Sequence, residues 1–239
     1  MKSIWKNMET NNNYFIVNMA ERVMNGDSTL FLNQAELKRL TRILNKNKCK
    51  YEVYIPYPDA EKVIVYSDIK PDVSLLEIIS KKELFHKDIL GSLFGYNISP
   101  NNYGDIIIYN GKYYLIVLDK LLKFFLTQFR EVGRNNVEVE KRDLEVIANY
   151  KVEYESNKYL CSSLRIDNVV SSITNLSRSS VDELFKDDNV LLNYEIVKKF
   201  RVIEEGDILS IRRFGKYKFN QDLGKNKKNK FIVEILKYK

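Results

Sequence analysis

The sequence is poor in the residues that most often mark a site by themselves. It has two cysteines, Cys49 and Cys161, and one histidine, His86, in 239 residues. Two cysteines with no CxxC spacing exclude a disulfide framework and fit a reduced compartment. With one histidine they also exclude a structural zinc site, which takes four nitrogen or sulfur ligands. No nucleophile or carboxylate partner is marked for His86, so it is expected at a helix start or turn rather than in catalysis. Glycine is scarce, and Gly91 and Gly95 are not followed by the Gly-Lys-Ser/Thr of a phosphate loop; four apart on a helix, they are expected to pack closely on a neighbouring element. Long apolar runs are missing as well. Asp119, Lys120 and Lys123 interrupt residues 113–126, well short of the roughly 20 apolar residues a membrane span needs. The opening Met1-Lys2-Ser3-Ile4-Trp5-Lys6-Asn7 has neither the apolar core nor the cleavage site of a secretory signal. These absences predict a cytoplasmic protein with no membrane span, metal, cofactor or catalytic residue.

What is present is charge. Apolar residues make up 44% and charged residues 30%, a globular composition, with a net charge of +7. Its placement matters more than its size. Residues 212–239 carry ten basic side chains, among them Arg212, Arg213, Lys216, Lys218, Lys225, Lys227 and Lys228, against only Asp222 and Glu234. RNA, DNA or an anionic membrane surface would suit that tail. A Lys- and Asn-rich composition without functional meaning would also produce it.

Hydrophobic periodicity predicts an α+β chain in three parts. Residues 1–70 form a small N-terminal piece. Two helices come first, broken at Gly26-Asp27-Ser28; Asn33 caps the second, with Glu36 at capping-box spacing. Strands at 51–55 and 63–66 follow, separated by Pro56 and Pro58. Residues 71–145 read as strand 75–81, helix 85–95, strand 105–109, strand 112–118, helix 120–131 and strand 136–141. That βαββαβ order is ferredoxin-like and RRM-like, with Asn110-Gly111 as a strong hairpin signal. The aromatic-rich strand signature of RRM domains is absent, so base stacking on this sheet is not expected. Gly104-Asp105 reads as a turn before its strand. Residues 146–239 begin with a strand at 150–154, a turn at Asn157 and a strand at 159–161. Two short helices follow, with apolar faces of Leu164, Ile166, Val169, Val170 and Ile173, then of Val181, Leu184 and Phe185. Strands at 190–193 and 207–213 come next, and residues 224–230 form a Lys/Asn loop.

Arg178 stands out in this last part. Ser177 is a good N-cap, which puts Arg178 in the first helical turn, where the macrodipole disfavours a cation. A cation beside free backbone N–H groups makes sense if both point at a phosphate. Arg165 stands in the same relation to the preceding helix. The plain alternative is a surface salt bridge, to Asp167 or Asp182. Lys216 and Lys218, two apart, share a strand face. Phe214, Tyr217 and Phe219 interleave with them, as core or as stacking residues.

Four segments in order resemble the S4 RNA-binding motif: Leu164-Arg165-Ile166-Asp167, Ser177-Arg178-Ser179, the strand ending in Asn193, and Gly206-Asp207-Ile208. The resemblance implies an αL-type RNA-binding domain over 146–239, with RNA contacts from Arg165, Ser177, Arg178, Ser179, Lys186 and Asn193. Asp188 replaces the glycine expected before the strand; Asp tolerates the left-handed conformation, but its charge weakens the field beside Lys186. His86-Lys87-Asp88-Ile89-Leu90-Gly91-Ser92-Leu93-Phe94-Gly95 and Tyr103-Gly104-Asp105-Ile106 are similar to the middle domain of YlmH-type proteins. Phe31-Leu32 and the tail from Ser210 to Lys216 resemble that family too. It implies a factor that binds the large ribosomal subunit, with 23S-type rRNA and peptidyl-tRNA as partners, in ribosome-associated quality control. A monomer with no small-molecule substrate is expected. The uncharged Ser99-Pro100-Asn101-Asn102 stands where relatives carry basic residues, so less RNA contact is expected from this middle domain. Two other readings compete: an S4-containing RNA-modifying enzyme of pseudouridine synthase or methyltransferase type, and a protein-interaction factor in translation or cell division. Against the enzyme, residues 1–145 hold no cofactor loop and no acid–base pair.

Overall fold

The computed structural model describes residues 14–239; the readings for residues 1–13 lie outside them. The chain divides into two compact units between Lys151 and Val152.

In the first unit, helix α1 covers residues 14–24 and α2 is Gln34–Lys46. Ile16, Met19, Ala20 and Val23 of α1 pack with Leu40 and Leu44 of α2, each set at helical spacing. The capping box at Asn33 forms as its sequence requires: Glu36 N–H donates to the Asn33 side chain at 3.0 Å, and Asn33 N–H to Glu36 at 2.9 Å. A two-stranded hairpin follows, β1 (Glu52–Tyr54) with β2 (Ile64–Tyr66).

Then come β3 (Val73–Ser80), α3 (His86–Gly95), β4 (Tyr103–Tyr109), β5 (Lys112–Leu118), α4 (Leu122–Thr127), β6 (Glu131–Val132) and β7 (Asn135–Arg142). The sheet is antiparallel in the order β4-β5-β3-β7-β6, which is the split βαβ arrangement with a small extra strand. Asn110 (φ 52°) and Gly111 (φ 72°) make the two-residue turn between β4 and β5, both in the left-handed region that this turn demands. The expected helix 120–131 is shorter. A 3-10 turn leads into α4, which stops at Thr127, whose hydroxyl donates back to the Lys123 carbonyl. The chain then turns at Gly133 (φ 61°) into the β6–β7 hairpin.

Both faces of this sheet are covered. Leu76, Ile78, Leu115 and Val117 face α3 and α4, packing on Ile89, Leu93, Phe125 and Phe129. Leu75, Tyr114, Ile116 and Leu118 face the other way, onto Phe31, Tyr57, Ile64 and Ile147. The face that an RRM-type sheet would use for stacking is therefore filled by the N-terminal residues. That double burial explains the unbroken apolar run in β5 and the consecutive apolar pairs Leu75-Leu76 and Ile78-Ile79 in β3. Gly104-Asp105 is not a turn: it lies inside β4, at an irregularity in the register between Tyr103 and Ile106. Gly91 and Gly95 do not pack closely either. They lie on the outward side of α3 with Phe94, and a Cβ on either would meet no atom within 4 Å.

The second unit contains β8 (Tyr154–Cys161), α5 (Ile166–Thr174), α6 (Arg178–Lys186), β9 (Val190–Leu192), β10 (Glu195–Ile196), β11 (Ile208–Ile211), β12 (Gly215–Lys225) and β13 (Phe231–Tyr238). The sheet is antiparallel in the order β10-β9-β11-β12-β13-β8. Val169, Val170 and Ile173 of α5 and Val181 of α6 pack against Tyr217, Phe219, Val233 and Ile235. Asn157 is not a turn but mid-strand, opposite Ile235. Strand β8 is an edge, and Glu155, Ser156 and Lys158 in it are exposed to water. Strand β11 ends at Ile211, two residues earlier than expected, because Arg213 takes a left-handed φ of 72° in the turn to β12.

Candidate nucleic-acid interface

The two arginines at helix starts have different surroundings. Arg165 is the N-cap residue of α5, with no side-chain capping bond. Its guanidinium forms a bidentate pair with Asp167, at 3.1 Å from Nε and 2.5 Å from Nη2. The salt-bridge alternative therefore holds for Arg165, though not for Arg178. Arg178 is exposed in the first turn of α6 and has no ion-pair partner among the described residues. Ser177 caps that helix, accepting from Ser180 N–H at 3.3 Å, and Ser179 Oγ lies 2.9 Å from Ser177 Oγ. The Ser177 hydroxyl is thus occupied in holding the helix start in shape.

Lys186 is exposed at the other end of α6, roughly 12 Å from Arg178 at 1.5 Å per residue. Asp188 takes φ 55°, as the position needs, and Asn189 accepts from Arg212 at 3.3 Å. Lys186, Arg212 and Arg213 are therefore grouped around the loop after α6. Asn193 is committed to the fold: its amide donates to Asp207 at 2.7 Å, and its side-chain oxygen accepts from Ile208 N–H at 2.9 Å. That lock explains why an Asn and a Gly-Asp-Ile strand occur together in the sequence.

Along β12, Tyr217 and Phe219 are core, and Phe214 packs partly buried against it. Lys216 and Lys218 alternate with them on the opposite side. Lys216 is engaged: its Nζ lies 3.2 Å from Tyr194 Oη and 4.6 Å from the centre of the Tyr238 ring. Lys225 ends β12, with Nζ 4.5 Å from the centre of the Phe231 ring, and Lys227 and Lys228 are exposed at the tip of the β12–β13 hairpin. Nine residues of strand put that tip roughly 30 Å from Lys216. The expected contact residues thus fall into groups along this unit rather than into one pocket. Among the described residues, no group of three His, Cys, Asp or Glu side chains could hold a metal ion, and none of the helices is long and apolar enough to cross a membrane. Burial pushes the Cys161 thiol up from its ordinary range, keeping it in the core as a protonated apolar residue.

Two residues were not anticipated. Lys199 pairs with Asp182 of α6 at 2.8 Å, and the adjacent Phe200 lies under the Arg165 guanidinium, 4.6 Å from ring centre to Cζ. The signal was available in the sequence, as Lys198-Lys199-Phe200-Arg201 interleaves an aromatic with cations.

Residues 72–146 match a protein family described as the putative RNA-binding domain in YlmH. Over this segment the chain is similar to YlmH-type proteins. It is 33% identical over 155 residues to the ribosome-associated protein quality control protein P2 of Bacillus subtilis. That alignment covers 64% of this chain and 60% of the relative. A solved structure, the cell division protein ylmH from Streptococcus pneumoniae, is similar with a TM-score of 0.47 and 18% identity, over 59% of this chain and 92% of that one. The YlmH-type match covers the first unit's sheet from β3 to β7. That segment is close to neutral, with ten basic and eleven acidic residues, whereas residues 152–239 carry seventeen against thirteen.

Proposed function

We propose that this chain is a non-enzymatic RNA-binding protein acting on the large ribosomal subunit. In this reading an S4-type domain in the second unit engages rRNA and peptidyl-tRNA during quality control of stalled translation. The observation that carries it is the set of exposed cations framing α6: Arg178 at its start, Lys186, Arg212 and Arg213 around its end. Backbone N–H groups, the positive end of the helix dipole and Arg178 converge on one place, and phosphate is the ligand that suits all three. The B. subtilis relative's name, ribosome-associated protein quality control protein P2, supports the ribosomal setting. The family description of residues 72–146 supports RNA as the ligand class. The near-neutral charge of that segment and its doubly covered sheet favour the second unit as the main source of affinity.

Co-sedimentation with purified large subunits, with and without peptidyl-tRNA, across a salt series tests it. Binding should be stronger with peptidyl-tRNA. The logarithm of the affinity should fall by roughly 0.7–0.9 per neutralised phosphate for each decade of salt. No binding at low salt would refute the reading.

A further inference from the structure

The loop between β10 and β11 carries an aromatic residue in a place the core does not use. Phe200 is 63% exposed, and Val202, two residues on, is 53% exposed. A single exposed ring is common on a protein surface, as Phe94 is here; what sets Phe200 apart is its surroundings. The loop is not loose at this point. Ile166 N–H donates to the Arg201 carbonyl at 2.8 Å, and Ile203 N–H to the Leu164 carbonyl at 2.9 Å, pinning it across the start of α5. Phe200 directly precedes the first of these bonds and sits inside a turn closed by Arg201 N–H donating to the Lys198 carbonyl at 3.1 Å, so its backbone is held while the ring stays exposed.

Cations frame the ring. The Arg165 guanidinium lies over it at 4.6 Å and Lys199 Nζ at 5.2 Å. Each cation is oriented by a carboxylate, Arg165 by Asp167 and Lys199 by Asp182. Asp182 lies one turn along α6 from Arg178, and a chain of contacts runs from Asp182 through Lys199 and Phe200 to Arg165 at the start of α5. Two cations that are already paired add little free charge for phosphate; their remaining role is to fix the ring.

We propose that Phe200 is a base-stacking residue: an unpaired nucleobase of the bound RNA lies against its ring, while Arg178 takes an adjacent phosphate. This rests on the RNA-binding reading above and adds to it what the site recognises, an unstacked base rather than a continuous duplex. The chemistry favours RNA over an apolar protein surface. Lys198 and Arg201 flank Phe200 in sequence, and an aromatic ring among cationic residues suits a base on its phosphate backbone.

The test uses the full chain and two labelled RNAs of equal length: a stem–loop with 2-aminopurine in an unpaired loop, and a blunt duplex. The wild-type protein should quench 2-aminopurine on binding the stem–loop. Phe200→Ala should weaken stem–loop binding about tenfold, with an unchanged salt slope and unchanged duplex binding, and should abolish the quenching. Phe200→Trp should keep both. Because Phe200 is exposed, the Ala variant should melt at the wild-type temperature. Stem–loop affinity and quenching equal to wild type in Phe200→Ala would overturn the proposal while leaving RNA binding through the cations intact. The same conclusion follows if Phe200→Ala keeps full RNA affinity but loses co-purification of a protein partner. A wild-type chain that binds neither RNA would remove the RNA-binding reading and this proposal with it.

Discussion

Arg165 caps α5 while Arg178 is the first residue of α6, one position further in, and the side chains around them decide what each can do. Asp167 stands beside Arg165 at bidentate distance, so that guanidinium meets a phosphate only by giving up charge already satisfied. Arg178 has no such partner among the described residues. Arg178→Ala should therefore weaken RNA binding across sequences and lower the salt slope by about one phosphate. Arg165→Ala should change the slope by less. Anisotropy titrations at four or five salt concentrations separate the two, and equal slopes for both variants would contradict the pairing. Two buried acids in the first unit give a second residue-scale prediction. Glu77 is buried on the sheet, where burial would raise its pKa, but the hydrogen bonds from Arg142 at 2.6 Å and Lys112 at 3.1 Å outweigh this and hold it below the usual range. Asp105 is pushed up by burial, against the lowering bonds from Tyr57 Oη at 2.7 Å and Glu61 N–H at 2.8 Å. A lowered carboxylate contributes stability present above its unfolded pKa of about 4.3 and lost as pH falls through its folded pKa. A raised one does the reverse: stability declines as pH rises from about 3.9 through the folded pKa. Asp105→Asn keeps an oxygen for both donors and should remove that decline. Asp105→Ala leaves both donors unmet and should cost about 1–3 kcal/mol, the deficit being smaller at pH 8 than at pH 5 because only the wild type carries the decline. Urea melts of the first unit at pH 5 and pH 8 read both effects.

The same aspartate shows what an element can hide from its sequence. Gly104-Asp105 looks like a turn because glycine and aspartate are turn residues. In the fold, Gly104 lets Phe31 and Ile116 approach a strand backbone: a Cβ there would lie 3.0 Å from the Phe31 ring and 3.2 Å from Ile116 Cβ. Asp105 then reaches over to tie down the segment around Tyr57. Nothing local in residues 103–106 records a ring arriving from residue 31. Where the determinants are local, sequence and structure agree: the Asn33 capping box, the Asn110-Gly111 hairpin, the left-handed Asp188 and the Ser177 cap all depend on residues within a few positions. Where partners are distant, they do not. Asn157 became mid-strand because β13 arrived to pair with it, and the helix predicted at 120–131 yielded its last turn to the β6–β7 hairpin. At the candidate interface the cations were legible as charge, whereas which of them the fold occupies, Lys216 with Tyr194 and Tyr238 or Arg165 with Asp167 and Phe200, was not. Gly104→Ala should cost about 1–3 kcal/mol by overpacking, since the nearest obstacles are a fully buried ring and a strand Cβ rather than a flexible tip. A wild-type melting curve for that variant would mean Phe31 can shift without loss.

At the scale of the whole molecule, each unit has a core of its own. Val169, Val170, Phe219, Val233 and Ile235 belong to one, and the two sides of the β3–β5–β7 sheet make up the other. Units that bury separate cores unfold as separate cooperative steps unless an interface couples them. Calorimetry on the full chain should therefore show two transitions. They can be assigned by variants already argued for: Gly104→Ala should lower the one belonging to residues up to Lys151 and leave the other in place. RNA then becomes a probe of location. A ligand that binds only the folded form of one unit stabilises that unit by RT ln(1 + [L]/Kd), about 2.7 kcal/mol at a hundredfold excess over Kd. If affinity resides in the cations around α6, a saturating stem–loop RNA should raise the transition of residues 152–239 by several degrees while the Gly104-sensitive transition stays fixed. High salt should collapse that shift, because the stabilisation is carried by displaced counterions. A shift of the Gly104-sensitive transition instead would transfer the main RNA contact to the YlmH-type segment at 72–146, in spite of its near-neutral charge and its covered sheet.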